Sequence, residues 1–197
     1  MRVIAGTFGG RRIRAPRGAR TRPTSDRVRE ALFSATGPVA GLSVLDLYAG
    51  SGALAIEALS RGAARAVLVE RSRAALAVLR ANLSLLGLGH RAAVVALPLE
   101  RAGGAVRARG PYDLVLVDPP YEALAAGVVA TVLGRLLPSP GVLVAGARLV
   151  LEHAARDEAP ALAGMSRVRT RAYGDTALSS YVAAGTTGLG ALGALAR

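Results

Sequence analysis

From residue 43 to residue 152 the chain alternates short, almost wholly apolar segments with segments of helical period, and this rhythm constrains the fold most. The apolar segments are 43–48, 66–70, 92–97, 112–118 and 148–152. Between them, helical patterns run over 53–61, 73–86, 101–109 and 124–137. A strand without polar alternation is buried on both faces. Strands of that kind, each followed by a helix, predict a mostly parallel sheet covered on both sides, an α/β Rossmann-like fold. Past Glu152 the rhythm stops. Segments 165–173 and 177–183, joined by Gly174-Asp175, predict a hairpin that brings the sheet to seven strands.

The ends of the chain read differently. Residues 2–14 predict a β-hairpin around Gly9-Gly10, followed by a Pro/Gly/Arg/Thr linker to residue 25. A helix over 26–36 follows, with Val28, Ala31, Leu32 and Ala35 on one face. Residues 184–197 are rich in Gly and Ala without useful period, and a flexible tail is expected. The organisation is thus a basic extension (1–25), a main domain (26–183) and a tail (184–197). With 197 residues, 52% of them hydrophobic and 19% charged, one domain with a real core is expected, and a monomer is the default.

Composition removes several function classes. There is no cysteine, so disulfide scaffolds, thiolate metal sites and cysteine nucleophiles are excluded. The two histidines, His90 and His153, are too few for a histidine-rich centre, and no metal is expected. A lone histidine near a strand end is more often structural than catalytic, so neither receives a role. No uncharged apolar run approaches the ~18 residues of a membrane span. The start of the chain lacks the apolar core of a secretory signal. A cytoplasmic protein without a membrane partner is expected.

Charge is informative through its placement. All 25 basic residues are arginine, as GC-rich coding favours, and the formal net charge is +12. Residues 1–30 hold nine arginines against Asp26 and Glu30, a net +7, while the other 167 residues carry +5. A basic arm is the footprint of phosphate-backbone contact. Arg2, Arg11, Arg12, Arg14, Arg22, Arg27 and Arg29, with Thr24 among them, are its candidate nucleic-acid contacts. A solvated basic tail is the plain alternative.

Asp46-Leu47-Tyr48-Ala49-Gly50-Ser51-Gly52 joins the first sheet strand to its helix. Gly50 and Gly52 let the backbone turn tightly and approach a ligand. The loop lies at a carboxyl strand end, where open α/β sheets bind ligands. Glu70 ends the next strand, where an acid accepts both hydroxyls of a ribose. Two cofactors suit this layout. Gly50-x-Gly52-x-x-Ala55 matches a nicotinamide fingerprint. The loop equally suits S-adenosylmethionine, with Asp46 holding the methionine amino group through the loop. A structural turn with no ligand is the third possibility.

Asp118-Pro119-Pro120-Tyr121 follows the fourth strand. Two prolines offer no amide hydrogens, so the turn is rigid and presents carbonyls. The exocyclic amine of a nucleobase is a poor nucleophile, because its lone pair is delocalised into the ring. The Asp118 carboxylate and the Pro119 carbonyl together can accept both N–H groups and orient the amine. Tyr121 supplies a stacking face. A paired base must be flipped or unpaired to arrive there. Hydride transfer needs no such turn, so the nicotinamide reading recedes.

At these residues the chain resembles class I S-adenosylmethionine methyltransferases with an (D/N)PP(Y/F) motif. Arg2-Val3-Ile4-Ala5-Gly6, Gly9-Gly10-Arg11-Arg12-Ile13 and Arg22-Pro23-Thr24-Ser25-Asp26-Arg27-Val28-Arg29-Glu30 narrow the resemblance to the RsmD family, over about residues 1–183. Glu57 to Ala63 and Tyr173-Gly174-Asp175-Thr176 also look like that family's stretches. The family consists of bacterial 16S rRNA guanine-N2 methyltransferases acting on the 30S subunit. The resemblance implies that Asp46, Gly50 and Gly52, with Tyr48, Ala49 and Ser51 beside them, line the methionine end of the cofactor. It implies Glu70, with Arg71, at the ribose, and Asp118, Pro119, Pro120 and Tyr121 at the target base. The RPTSDRVRE segment would close the site and meet RNA. One departure is visible: Ala96-Leu97-Pro98-Leu99-Glu100 carries no acid or amide at the place where relatives touch the adenine amine. Two rivals remain on sequence alone, an adenine-N6 methyltransferase and a non-catalytic RNA-binding assembly factor.

Overall fold

A computed structural model describes residues 1–15 and 26–184. Arg22 and Thr24, the linker from residue 16 and the tail from residue 185 lie outside the described residues. The chain runs α1 (Asp26–Thr36), β1 (Ser43–Leu47), α2 (Ala53–Ser60), β2 (Arg65–Val69), α3 (Arg73–Leu85), β3 (Ala92–Val95), α4 (Leu99–Arg107) and β4 (Tyr112–Val117). It continues with α5 (Tyr121–Ala125), α6 (Val128–Leu136), β5 (Leu143–Ala154), β6 (Met165–Tyr173) and β7 (Thr176–Ala183). One seven-stranded sheet has the order β3-β2-β1-β4-β5-β7-β6. The first five strands are parallel, and β7 pairs antiparallel with both β5 and β6.

Burial on both faces explains the apolar strands. Val44, Leu68, Leu114 and Val150 point into one core with α1, α2 and α3. Their neighbours Leu45, Val67, Val115 and Leu149 point into a second core with α4 and α6. The order reverses direction between β1 and β4, and such a reversal opens a ligand crevice at the carboxyl ends of the two strands. Among the described residues no helix is long and apolar enough to cross a membrane.

The first 15 residues pack onto the α2 and α3 side. Val3 and Ile13 are buried in the first core. The expected hairpin reduces to one bridge, Arg2 with Arg12, held by Val3 N–H to the Arg11 carbonyl (2.9 Å) and Gly10 N–H to the Val3 carbonyl (2.9 Å). Its ladder gives way to side-chain anchors. The buried Glu57 carboxylate accepts the Ile4 and Ala5 N–H groups at 2.7 and 3.0 Å, and the Phe8 N–H donates to Ser60 Oγ.

Several boundaries differ from the sequence expectation. The helix expected over 124–137 is two helices, because Gly127 takes a left-handed φ of +72° between them. The first of these starts at Tyr121, directly behind the two prolines. The third strand stops at Val95, and Pro98 opens α4 at Leu99. The fifth strand extends from 148–152 to Leu143–Ala154, so His153 lies within it. That imidazole is buried, bonded to Ser179 Oγ (Nε2, 2.9 Å) and to the Ala154 carbonyl (Nδ1, 2.9 Å), which fits a structural role.

Candidate active site

The crevice between β1 and β4 gathers the two sequence motifs. Leu47 is in register with Val117, so Tyr48 and Asp118 emerge side by side at the strand ends. Asp46 lies one step back, buried in the sheet. Its Oδ2 accepts the Ala55 N–H at 3.0 Å, which fastens the loop and the first turn of α2 to the strand. Its Oδ1 is buried and has no hydrogen-bond partner among the described residues. Burial pushes the Asp46 carboxyl up to about 8 against the pull of the Ala55 bond, and the nearby Asp118 and Glu70 charges add to the rise. A buried carboxylate oxygen without a donor calls for a cation or an N–H group. The methionine ammonium of S-adenosylmethionine has that chemistry, so the residues present fit this cofactor.

The loop is shaped for a close approach. Gly50 and Gly52 have φ of +55° and +80°. A Cβ on Gly52 would stand 3.3 Å from Leu68 Cδ2 and 3.4 Å from Leu79 Cγ, inside the core. Tyr48 is the only non-glycine with positive φ among the described residues, at +63°. Such strain in a bulky residue is held only where the surroundings impose it. Burial raises the Tyr48 hydroxyl above its ordinary value, with Glu100 adding to the rise and Arg71 opposing it. Arg71 is exposed, and Ala49 and Ser51 are buried in the loop. Glu100 lies in the first turn of α4, near enough to Tyr48 to act on its charge.

Glu70 does more than the sequence suggests. Its Oε2 accepts the Gly50 N–H at 2.8 Å, and its Oε1 accepts the N–H groups of Arg71 and Ser72 at 2.8 and 2.7 Å. It ties the glycine loop to the end of β2. A carboxylate has about four acceptor positions. Receiving both ribose hydroxyls would therefore require one of these three backbone bonds to yield.

On the opposite wall, the Asp118 N–H reaches the Leu47 carbonyl at 3.5 Å. Pro119 is buried and Pro120 precedes the first turn of α5. Tyr121 stands at the surface, 36% exposed, with its hydroxyl 3.0 Å from Thr176 Oγ1. That bond joins the motif to the β6–β7 turn.

Two site-supporting residues have no local sequence signature. Asn82, fully buried in α3, donates from Nδ2 to the Ser51 and Arg14 carbonyls (2.9 and 3.0 Å) and accepts the Arg14 N–H at Oδ1 (2.8 Å). It joins the basic arm to the glycine loop. Thr176 is the other, and only the Tyr173–Thr176 stretch points near it.

The candidate RNA contacts divide. Arg2, Arg11, Arg12, Arg14 and Arg27 are exposed. Arg29 does not face RNA: it is 1% exposed, and its Nη2 donates to the Arg2 carbonyl (2.7 Å) and to Asp26 Oδ1 (2.6 Å). It sits on the buried side of α1 with Val28, Leu32 and Phe33, and there it links the helix to the arm. Arg2 also pairs with Asp26, at 3.0 Å. The Arg29 hydrogen bond, followed by that of Arg2, holds the Asp26 carboxyl below its ordinary value despite some burial cost.

Comparisons with known proteins give the family and the fold. The family described as Conserved hypothetical protein 95 matches residues 1–182. The chain is 36% identical over 184 residues to "Ribosomal RNA small subunit methyltransferase D" of Escherichia coli (strain K12), across 92% of this chain and 89% of that protein. A solved structure of a hypothetical protein from Thermus thermophilus matches with a TM-score of 0.74 and 36% identity, covering 91% and 98% of the two chains. An RNA methyltransferase from Salinibacter ruber, solved with S-adenosyl-L-homocysteine, shares the fold at a TM-score of 0.61 and 17% identity, over 83% of this chain and 94% of that one.

Proposed function

Because the chain belongs to the RsmD family of class I rRNA methyltransferases, we propose that it methylates the exocyclic N2 amine of a guanine in 16S rRNA of the small ribosomal subunit. The observation that carries this reading is a juxtaposition. The unpartnered Oδ1 of buried Asp46 lies across one strand pairing from the rigid Asp118-Pro119-Pro120-Tyr121 turn. One wall asks for a cation, and the other offers acceptors to an amine.

S-adenosylmethionine, when bound, would supply a sulfonium methyl, an electrophile that needs no acid to activate it because its carbon–sulfur bond breaks to leave a neutral thioether. The protein's work is then alignment and water exclusion. Asp46 and the glycine loop hold the methionine end. Glu70 stands at the ribose, exchanging a loop bond for a hydroxyl. The Asp118 carboxylate and the Pro119 carbonyl accept the two amine hydrogens. This aims the nitrogen lone pair at the methyl and lets the nitrogen become tetrahedral as its bond forms. Pro119 and Pro120 have no N–H groups to compete for those acceptors. Tyr121 offers its ring to the base. Asp118 need not be a strong base, since the amine becomes acidic only as the methyl arrives, and the proton can leave to solvent afterwards.

The test offers labelled S-adenosylmethionine with under-methylated 30S subunits, naked 16S rRNA or DNA. Label in ribosomal RNA, from either the subunit or the naked form, is the expected result. Label in DNA alone, or cofactor binding with no transfer to any substrate, overturns the reading. The second outcome would favour a non-catalytic assembly factor.

A further inference from the structure

We propose that the outer strand of the sheet, β6, is a track for the RNA backbone beside the target nucleotide, with Arg169 and Arg171 holding its phosphates. The inference rests on the rRNA reading above, and it adds a surface far in sequence from the basic arm.

The strand Met165–Tyr173 is one edge of the sheet and reads MSRVRTRAY, with three arginines and no acid. Every residue from Ser166 to Ala172 is exposed. Strict alternation would place all three arginines on one face. A bulge prevents this: Arg167 pairs with Tyr181 and Arg169 with Ser180, so Val168 is the extra residue, 65% exposed. Bulges re-aim side chains and concentrate near functional sites. Arg167 therefore stays on the Tyr181 face, where its Nη1 donates to the Ala159 carbonyl at 3.0 Å. Arg169 and Arg171 turn to the face of Ser180 and Leu178, the α1 side of the sheet.

Among the described residues, no ion pair involves Arg169 or Arg171. The single acid of the hairpin is Asp175, in its turn. Arg169, Arg171 and Tyr173 form a row along one face, about 6.7 Å apart, the repeat of alternate strand residues. The row leads to the active site. The hairpin turn lies at the carboxyl ends of the parallel strands, since Thr176 is in register with Ala154 at the end of β5. There Thr176 Oγ1 meets the Tyr121 hydroxyl. A line of guanidinium groups ending at the base pocket matches a polyanion whose one nucleotide enters that pocket. Such contacts fix position and register without reading sequence. Charges on an edge strand also discourage edge pairing with another chain. That role alone would leave RNA binding unchanged.

The deciding experiment is a salt titration of full-chain binding to an unmodified 16S rRNA transcript. It compares the wild type, Arg169→Ala/Arg171→Ala, the charge-keeping Arg169→Lys/Arg171→Lys, and a control, Arg107→Ala/Arg135→Ala. The control removes two exposed arginines from the last turns of α4 and α6. Each single-strand phosphate contact contributes about 0.7 to the slope of log affinity against log salt, so the alanine pair should flatten it by about 1.4. The lysine pair and the control should keep the wild-type slope. In the transfer assay the alanine pair should raise KM for RNA, with kcat and S-adenosylmethionine affinity unchanged. An unchanged slope in the alanine pair, an equal loss in the control, or an equal loss in the lysine pair would overturn the proposal. A wild type that binds RNA but transfers no methyl would overturn the functional reading instead, while the slopes still decide the strand.

Discussion

Asp46 and Asp118 are two carboxylates a few residues apart in space that do opposite work. Asp46 is buried and starved of donors, and its raised titration has a consequence that can be measured. A carboxyl that titrates near 8 when folded, against 3.8 unfolded, keeps a proton that the unfolded chain releases. Its contribution to stability is full below 3.8 and is lost as the pH rises through about 8. The thermal midpoint of the ligand-free protein should therefore carry a component that falls as the pH climbs from the ordinary carboxylate range towards that value. Asp46→Asn should lack that component, and a midpoint profile identical to the wild type would contradict it. A ligand ammonium favours the ionised carboxylate, so cofactor affinity should rise with pH across the same window. Binding should release protons, detectable by calorimetry in buffers of different ionisation heat. Asp118 follows the end of β4, and in the proposed function it serves the substrate side. Asp118→Ala should abolish transfer and leave cofactor affinity nearly intact, read as kcat against an equilibrium titration. A fall in affinity matching the fall in rate would place Asp118 in the cofactor site.

At the scale of elements, the arm and the glycine loop are one assembly. Asn82 satisfies two carbonyls and one N–H, and Glu57 holds two N–H groups and the Arg61 guanidinium (2.7 Å). Asn82→Ala leaves three backbone groups without these partners, and should cost roughly 2 kcal/mol or more in a denaturant titration. It should also raise KM for the cofactor, because Ser51 loses its support. A stability loss with cofactor KM unchanged would show that the arm and loop are not coupled. None of this is legible locally. A polar residue inside a helix reads as a solvated position, and the partners of Asn82, Arg14 and Ser51, lie 68 and 31 residues away in sequence. Arg29 misleads for the same reason: the sequence groups it with its charged neighbours, while the helix turns it inward. By contrast, the parallel strands are legible because burial on both faces leaves an uninterrupted apolar signature. The break at Gly127 is not, since one glycine inside a helical pattern is usually tolerated.

Over the whole molecule, charge and shape point to one side. The carboxyl ends of the parallel strands hold the glycine loop, the Asp118 turn and the tip of the β6–β7 hairpin, while Arg14 of the arm is held beside that loop through Asn82. Val3 and Ile13 are core residues, so removing the arm would open the fold as well as discharge it. Arg11→Ala/Arg12→Ala is the cleaner probe. It should flatten the salt dependence of RNA binding by about 1.4 with the thermal midpoint unchanged. A slope equal to that of the wild type would leave the arm as a solvated surface. Methylation of a nucleobase amine between Asp46 and Asp118 is tested most directly by digesting RNA from enzyme-treated, under-methylated 30S subunits and identifying the modified nucleoside by mass spectrometry. The expected product is N2-methylguanosine at one position, absent with the Asp118→Ala variant. N6-methyladenosine, a ring- or ribose-methylated product, or product persisting in that variant would contradict it.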